Sequence, residues 1–198
     1  LLEASREMRS PAYLATDSHW APTAMRHAAA QVADEIRPML SADHAPLEHR
    51  RTSVTVVNLG DTAGMLNLPD GQQLYPRERV TIDRVLSGAG EPWAPAPDAE
   101  VLVLGDSFCN VYSHPGMGWG SSAGFIEQLS SSLARPVDRI VVNAGGSHTA
   151  RQRLARELAR DPDRLAGTRV VVYQFAMREL AFGDWKLFEM PGDALDRG

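Results

Sequence analysis

Short apolar runs alternate along this chain with longer segments in which apolar residues recur at helical spacing. The apolar and β-branched runs predict strands at 53–57, 101–104, 140–142 and 169–173. Apolar residues repeating on one face predict helices over 23–40, 125–133 and 150–158. Strands that alternate with helices of this length predict an α/β fold, with a parallel sheet flanked by helices.

Two further segments lack a clear period. Residues 59–97 are rich in glycine, proline and aspartate, which predicts an irregular insertion before the strand at 101–104, with a hairpin near 69–71. Residues 12–15 predict a short strand or extended run that leads into a loop, and residues 1–9 predict the end of a helix.

Length, charge and cysteine content limit the class of protein but do not indicate an activity. A length of 198 residues favours one domain over residues 1–198, and a formal net charge of −5 gives no reason to expect a nucleic-acid partner. Cys109 is the only cysteine, so no internal disulfide can form. No apolar run approaches 18 residues, so the sequence predicts no membrane span.

Two motifs far apart in the chain carry the candidate chemistry. Residues 105–108 read Gly-Asp-Ser-Phe and follow the apolar run at 101–104, which places Ser107 at the carboxyl end of a buried strand. Asp17 and His19 lie in the run Asp-Ser-His-Trp, 88 positions before that serine. A serine needs a base to accept its proton, and the base needs an orienting carboxylate, so the two motifs together supply a complete triad.

Each motif also has a purely structural interpretation. Asp106 and Ser107 favour tight turns after a strand, and Asp17 and Ser18 favour helix entries. We interpret Asp106 as a residue that shapes the turn, because neighbours on a tight turn point in different directions. His114 and His148, in loops after strands, remain alternative bases.

The two motifs, taken as a pair and in this order, resemble those of the alginate O-acetyltransferases of the AlgJ and AlgX type, a branch of the SGNH hydrolase superfamily. Residues 17–22 are similar to the Asp-x-His-Trp signature of that branch, and residues 105–108 to its serine block. Residues 60–69 and 171–180 also resemble the corresponding segments, so the similarity runs over 11–180.

The resemblance implies an SGNH hydrolase-like domain that moves an acetyl group onto hydroxyls of an exported, alginate-like polysaccharide through an acetyl-serine. It implies a membrane-bound partner that delivers the acetyl donor, no cofactor and no metal, and a periplasmic location. Family members have upstream sequence, so we expect a chain truncated at its N-terminus, with a missing segment that attaches the protein to the inner membrane.

Six further residues are candidates for the oxyanion hole or for substrate binding. The resemblance implies Gly145, from the glycine block, as a second oxyanion donor beside the Ser107 N–H, and Gln174 where other members have asparagine. It also matches Arg178 to an arginine of the acetyltransferase branch, although a surface ion pair with Glu179 or Asp184 explains that residue equally. Trp20 and Tyr112, with Trp119, offer aromatic faces on which a sugar could stack, and packing in the core is the alternative for each of them.

Three functions remain open at this point. The triad serves a transferase, in which a sugar hydroxyl accepts the acetyl group, and an acetylesterase, in which water does. The resemblance favours transfer. A non-catalytic polysaccharide-binding or assembly module has no need of all three triad residues.

Overall fold

The computed structural model describes residues 10–188. The helix expected over 1–9 lies outside this range. In chain order the elements are α1 (Pro22–Ile36), β1 (His49–Asn58), α2 (Asp61–Met65), β2 (Glu78–Ser87), β3 (Val101–Gly105), α3 (Ser107–Asn110), α4 (Phe125–Leu133), β4 (Asp138–Val141), α5 (Thr149–Arg160), β5 (Val170–Tyr173) and α6 (Glu179–Phe182). Within the described part of the chain, no helix has both the length and the apolar character needed to cross a membrane.

A three-stranded parallel sheet forms the centre of the fold, in the order β4-β3-β5. Each residue of β3 is buried, which explains why its sequence is apolar at every position instead of alternating. Gly105 pairs with Val141, and Leu104 pairs with Tyr173, so the three carboxyl ends meet at one edge. The predicted parallel sheet flanked by helices is confirmed.

Helices cover both faces of this sheet. α1 packs against α4 on one face, where the larger core includes Met25, Ile126 and Leu129. On the other face α5 contributes Leu154 and Leu158 to a smaller core with the strand residues Leu102, Leu104 and Ile140. The predicted helix over 23–40 ends as an α-helix at Ile36 and continues as a 3₁₀ turn over Arg37–Met39, because Pro38 has no N–H to donate.

A separate antiparallel pair corrects the expectation for residues 59–97. Strand β2 lies inside this segment and pairs over ten residues with β1, from Asn58 opposite Glu78 to His49 opposite Ser87. α2 also forms within it. The expected irregular insertion is therefore wrong for residues 78–87 and for the helix, although the chain between α2 and β2 is irregular, as is most of the stretch between β2 and β3.

The segment before α1 forms a tight loop instead of a strand. A single bridge joins Tyr13 to Trp20, and the Leu14 N–H donates to the His19 carbonyl at 3.1 Å. The Ala21 N–H donates to the Ala12 carbonyl at 2.9 Å, which closes the base of the loop. The loop therefore presents residues 15–19 away from its base, and His19 lies at the end of that turn.

Candidate active site

Ser107 begins α3 directly after the central strand. The Asp106 carboxylate accepts a hydrogen bond from the Phe108 N–H at 2.9 Å, so it caps the helix and does not face the serine hydroxyl. A Cβ on Gly105 would lie 2.4 Å from the Cys109 sulfur, so only glycine lets the chain turn this tightly. The strand end, the glycine and the cap together fix the position of Ser107.

Asp17, His19 and Ser107 form a continuous chain of hydrogen bonds. His19 Nε2 lies 2.9 Å from Ser107 Oγ, and His19 Nδ1 lies 2.6 Å from Asp17 Oδ1. Asp17 and His19 are 8% and 4% exposed, whereas Ser107 is half-buried and open to a substrate. With the proton on Nδ1 facing the carboxylate, Nε2 is free to accept the serine proton.

Four N–H groups converge on the Asp17 carboxylate. Oδ1 accepts from the backbone N–H of His19 at 3.1 Å as well as from its ring, and Oδ2 accepts from Trp119 Nε1 at 2.7 Å and from the Asp61 N–H at 3.0 Å. Burial alone would raise the pKa of this carboxyl, but the hydrogen bonds outweigh it and lower the pKa of Asp17 from 3.8 to about 2. The Asp17 carboxyl is therefore ionised at neutral pH.

The turn at Gly60 and Asp61 packs closely against the loop that carries Asp17. A Cβ on Gly60 would lie 2.4 Å from the Cβ of Asp17 and 2.4 Å from the Thr16 carbonyl oxygen, so glycine is required for this approach. The Thr16 hydroxyl accepts from the Gly60 N–H at 3.1 Å, and Ser18 donates to the Asp61 carboxylate from its N–H and its hydroxyl, each at 2.7 Å. The two loops are thus joined by side chains and backbone alike.

Asp61 adds a second carboxylate beside the imidazole, 3.8 Å from His19 Nδ1. Asp17, His19 and Asp61 bring three ligand atoms within 4.8 Å of one another, as a metal site would. Both carboxylates already accept hydrogen bonds from N–H or O–H donors, and a cation there would displace the Nδ1 proton from the contact with Asp17. The donor set fits an acid–base pair better than a metal centre.

The oxyanion donors differ in part from those expected. No described residue accepts a hydrogen bond from the Ser107 N–H, which leaves this donor at the start of α3 for a substrate. The Gly145 N–H donates to the Val142 carbonyl at 3.1 Å, so it is committed to its own turn. The expectation for Gly145 is wrong in this respect.

Gln174 holds the serine turn from behind. Its side-chain carbonyl accepts from the Asp106 N–H at 3.3 Å and from the Cys109 thiol at 3.2 Å. This carbonyl therefore supports the residues on either side of Ser107. The oxygen is therefore held by the backbone of Asp106 and the Cys109 thiol, whereas the oxyanion role expected of Gln174 would use its amide N–H groups and stays a prediction.

The aromatic residues expected to face a sugar lie inside the protein. Trp20, Tyr112 and Trp119 are 6%, 0% and 0% exposed. The Trp20 indole donates to the Phe108 carbonyl at 3.0 Å and stacks on Phe125, and the Tyr112 hydroxyl donates to the Trp20 carbonyl at 2.7 Å. Each polar tip has an internal partner, so the expectation of a stacking surface is wrong for these three rings.

Among the described residues, the remaining candidates make no hydrogen bond to Asp17, His19 or Ser107. Arg178 is exposed and lies 3.7 Å from the Glu179 carboxylate, which is the surface ion pair that the sequence left open. His148 stacks on Phe188, and His114 is exposed. Among the described residues, His19 is the histidine in hydrogen-bond contact with Ser107.

Three contacts at the site were not foreseen from the sequence. They are the Trp119 and Asp61 donors to Asp17, and the Phe108 ring, whose centre lies 4.8 Å from that of His19. The Gly-Asp pair at 60–61 was noted only as part of the resemblance, and Trp119 only as an aromatic face. Neither role can be recognised from the sequence, because each depends on the distance in space between segments that lie far apart along the chain.

A mostly apolar cavity of about 550 Å³ lies apart from these residues. Leu47, Trp93 and Pro136 contribute to its wall, and none of its lining residues belongs to the triad. Pro136 precedes the amino end of β4, so the cavity lies toward the opposite edge of the sheet from Ser107. The candidate site lies instead at the carboxyl ends of the strands, where β3 ends and Ser107 begins α3.

A parallel sheet that presents a hydrogen-bonded serine, histidine and aspartate at this edge defines an SGNH hydrolase-like α/β domain. The family model described as "SGNH hydrolase-like domain, acetyltransferase AlgX" matches residues 1–177, and the chain belongs to this family. No curated protein matches the chain in sequence.

Two solved structures share the fold. The chain is similar to the "O-Acetyltransferase Domain of Pseudomonas putida AlgJ", with a TM-score of 0.65 and 21% identity, over 90% of this chain and 57% of that one. It is also similar to Pseudomonas aeruginosa AlgX, with a TM-score of 0.56 and 19% identity, over 83% of this chain and 35% of that one. The chain thus spans less than two thirds of either neighbour.

Proposed function

We propose that this domain transfers an acetyl group to hydroxyls of an alginate-like polysaccharide through an acetyl-serine on Ser107. The observation that carries the proposal is the hydrogen-bond chain from Asp17 through His19 to Ser107, with contacts of 2.6 and 2.9 Å. Membership of the AlgX-type acetyltransferase family supports transfer as the reaction.

In the first half-reaction, Ser107 attacks the carbonyl carbon of the acetyl donor. The Oγ–C bond forms as His19 Nε2 takes the hydroxyl proton, and negative charge develops on the carbonyl oxygen. The Ser107 N–H stabilises that oxyanion. As the intermediate collapses, the bond to the leaving group breaks and His19 returns its proton to that group, leaving acetyl-Ser107.

In the second half-reaction, a sugar hydroxyl replaces Ser107. His19 takes the proton of this hydroxyl as its oxygen attacks the acetyl carbon, and then returns the proton to Oγ as the ester bond to Ser107 breaks. Asp17 stays ionised throughout and stabilises the imidazolium, for which its depressed pKa suits it. The protein's own side chains and the Ser107 backbone N–H supply the groups that this chemistry needs, so we propose no cofactor.

The source of the acetyl group and the cellular location are proposed from the family resemblance. We propose that a membrane-bound partner presents the acetyl group, and that the domain acts in the periplasm, attached to the inner membrane by a segment outside this chain. The half-buried position of Ser107 at an open edge is compatible with delivery by a large partner as well as by a small donor.

Acetyl-ester hydrolysis is the second candidate, and one observation favours it. A transferase must hold the acceptor so that a sugar hydroxyl outcompetes water. The three rings expected to form such a surface are buried, so none of them can stack on a sugar in this conformation. Arg178, exposed at the start of α6, stays a proposed contact for the acceptor.

One experiment separates these functions. A chromogenic acetyl ester is turned over with and without oligomannuronate, and the sugar is analysed by mass spectrometry. Faster loss of donor with acetylated sugar as product supports transfer, whereas acetate alone at an unchanged rate supports an esterase. A Ser107→Ala variant gives the background, and His114→Ala serves as a matched histidine control that keeps full activity. Equal rates for wild type and Ser107→Ala would leave only a non-catalytic module.

A further inference from the structure

A buried tryptophan contacts the triad acid from a distant part of the chain. Trp119 lies in the loop between α3 and α4, is 0% exposed, and donates its indole N–H to Asp17 Oδ2 at 2.7 Å across 102 positions of sequence. No other side chain among the described residues donates to this oxygen; its second donor is the backbone N–H of Asp61.

The position of this contact bears on the geometry of the acid. A carboxylate can rotate about its Cβ–Cγ bond, and only one orientation places Oδ1 in line with His19 Nδ1. Trp119 and the Asp61 N–H both donate to Oδ2, the oxygen that does not bind His19, so they set that rotation. An indole N–H can only donate, and the packed Trp119 ring cannot rotate away. The contact therefore keeps an oxygen of Asp17 directed at the indole.

We infer that Trp119 is a positioning residue, which holds Asp17 in the orientation that keeps the His19 proton on Nδ1 and leaves Nε2 free to accept the Ser107 proton. This inference rests on the proposed function. Trp20 provides the contrast: it is also buried, but its indole donates to the backbone carbonyl of Phe108 and not to a reacting group.

The test removes the N–H while keeping the ring. Trp119 is replaced by 3-benzothienylalanine, in which sulfur takes the place of the N–H, and in a second variant by phenylalanine. Trp93→Phe is the matched control, because Trp93 is half-buried in the wall of the distant cavity and touches no triad residue. A fluorophosphonate probe reports nucleophilicity: Ser107 Oγ attacks phosphorus, fluoride leaves, and His19 takes the proton.

We expect kcat and the labelling rate of the benzothienyl variant to fall by about 10- to 100-fold, the size set by one hydrogen bond to a charged group. KM should stay within about two-fold of the wild type, because the N–H does not touch the substrate. The melting temperature should fall less than in the phenylalanine variant, since only one hydrogen bond is lost and the ring still fills the core. Trp93→Phe should keep the wild-type rates.

A readout that does not depend on turnover completes the test. The proton between His19 Nδ1 and Asp17 gives a low-field NMR signal, which should move upfield when the Trp119 N–H is lost. Unchanged rates and an unchanged signal in the benzothienyl variant would overturn the inference, as would a loss confined to the phenylalanine variant, which would indicate packing alone. If wild-type Ser107 resists the probe, the proposed function fails, and the proton signal still decides the role of Trp119.

Discussion

Replacing Asp17 by asparagine should remove activity by changing the tautomer of His19. The carboxylate accepts four N–H groups, two on each oxygen, and an asparagine amide has only one oxygen. If that oxygen faces His19, the new NH₂ meets the N–H groups of Trp119 and Asp61, which makes two donor–donor conflicts. If it faces Trp119 and Asp61, the NH₂ conflicts only with the backbone N–H of His19.

The second arrangement has fewer conflicts, and its consequence for catalysis is direct. The NH₂ then donates to His19 Nδ1, so the imidazole proton moves to Nε2 and faces Ser107 Oγ. An Nε2 that carries a proton cannot accept another from the serine while the ring is neutral. The same substitution in serine proteases, where the tautomer is also wrong, lowers kcat by about 10⁴. We expect a loss of about 10³ to 10⁴ here.

The loss of folding stability in Asp17→Asn follows from the same count of donors and acceptors. One buried donor left without an acceptor costs about 1–3 kcal/mol, so the free energy of unfolding at pH 7 should fall by that amount. Urea denaturation measures it, acetyl-ester turnover measures kcat, and ¹⁵N NMR of the imidazole reports which nitrogen carries the proton. Asp70→Asn, an exposed change of the same chemistry, should leave all three measurements unchanged.

Retention of more than a tenth of the wild-type kcat, or an imidazole still protonated at Nδ1, would refute this reasoning. Either result would mean that the carboxylate does not set the tautomer. In that case Asp61, 3.8 Å from the same nitrogen, would be the next residue to replace.

Three further predictions follow from the site. Ser107→Ala and His19→Ala should each abolish acetyl-ester turnover, and the double variant should lose little more, because the residues act as a unit; a multiplicative loss would contradict this. The lowered pKa of Asp17 stabilises the fold above pH 3.8, and this contribution, about 2 kcal/mol, should vanish as pH falls to about 2. Denaturant titrations should therefore show the deficit of Asp17→Asn shrinking over that range, and a constant deficit would contradict the assigned pKa. Gly105→Ala should lower both activity and melting temperature, because its Cβ would lie 2.4 Å from a buried sulfur, whereas Gly64→Ala, with open space around it, should cost nothing.

The sequence predicted those parts of the molecule whose signal is local. The run at 101–104 is apolar on both faces because β3 is buried on both, and this is visible in four residues. The neighbours of His19 were also predictable, since both motifs resemble those of one family. His19 contacts Asp17, and it contacts Ser107 although 88 positions separate them along the chain.

Strand β2 escaped prediction for a physical reason. Ile82 and Val85 are both buried although they lie three positions apart, so they point to opposite faces of the strand. The strand buries one face at Ile82 and the other face at Val85. Its sequence therefore lacks the regular alternation of apolar and polar residues that a half-buried strand shows. Glycine and proline on either side of it then dominate the local pattern.

The aromatic residues show what composition cannot decide. An indole or phenol beside a catalytic motif is equally suited to a sugar face or to a core with an internal acceptor. Trp20, Tyr112 and Trp119 each have such an acceptor, at 3.0, 2.7 and 2.7 Å. Those acceptors belong to Phe108, Trp20 and Asp17, and only the folded chain brings each pair together.

The acid and the base share one short loop, whereas the nucleophile belongs to the sheet. A small shift of that loop as a rigid unit would leave the 2.6 Å contact between Asp17 and His19 intact, whereas the 2.9 Å contact to Ser107 and the 2.7 Å contact to Trp119 would lengthen. The hydrogen bond within the loop would then persist while the contact with the nucleophile is lost. A substitution that displaces residues 15–19 as a unit should therefore lower the reactivity of Ser107 without separating Asp17 from His19.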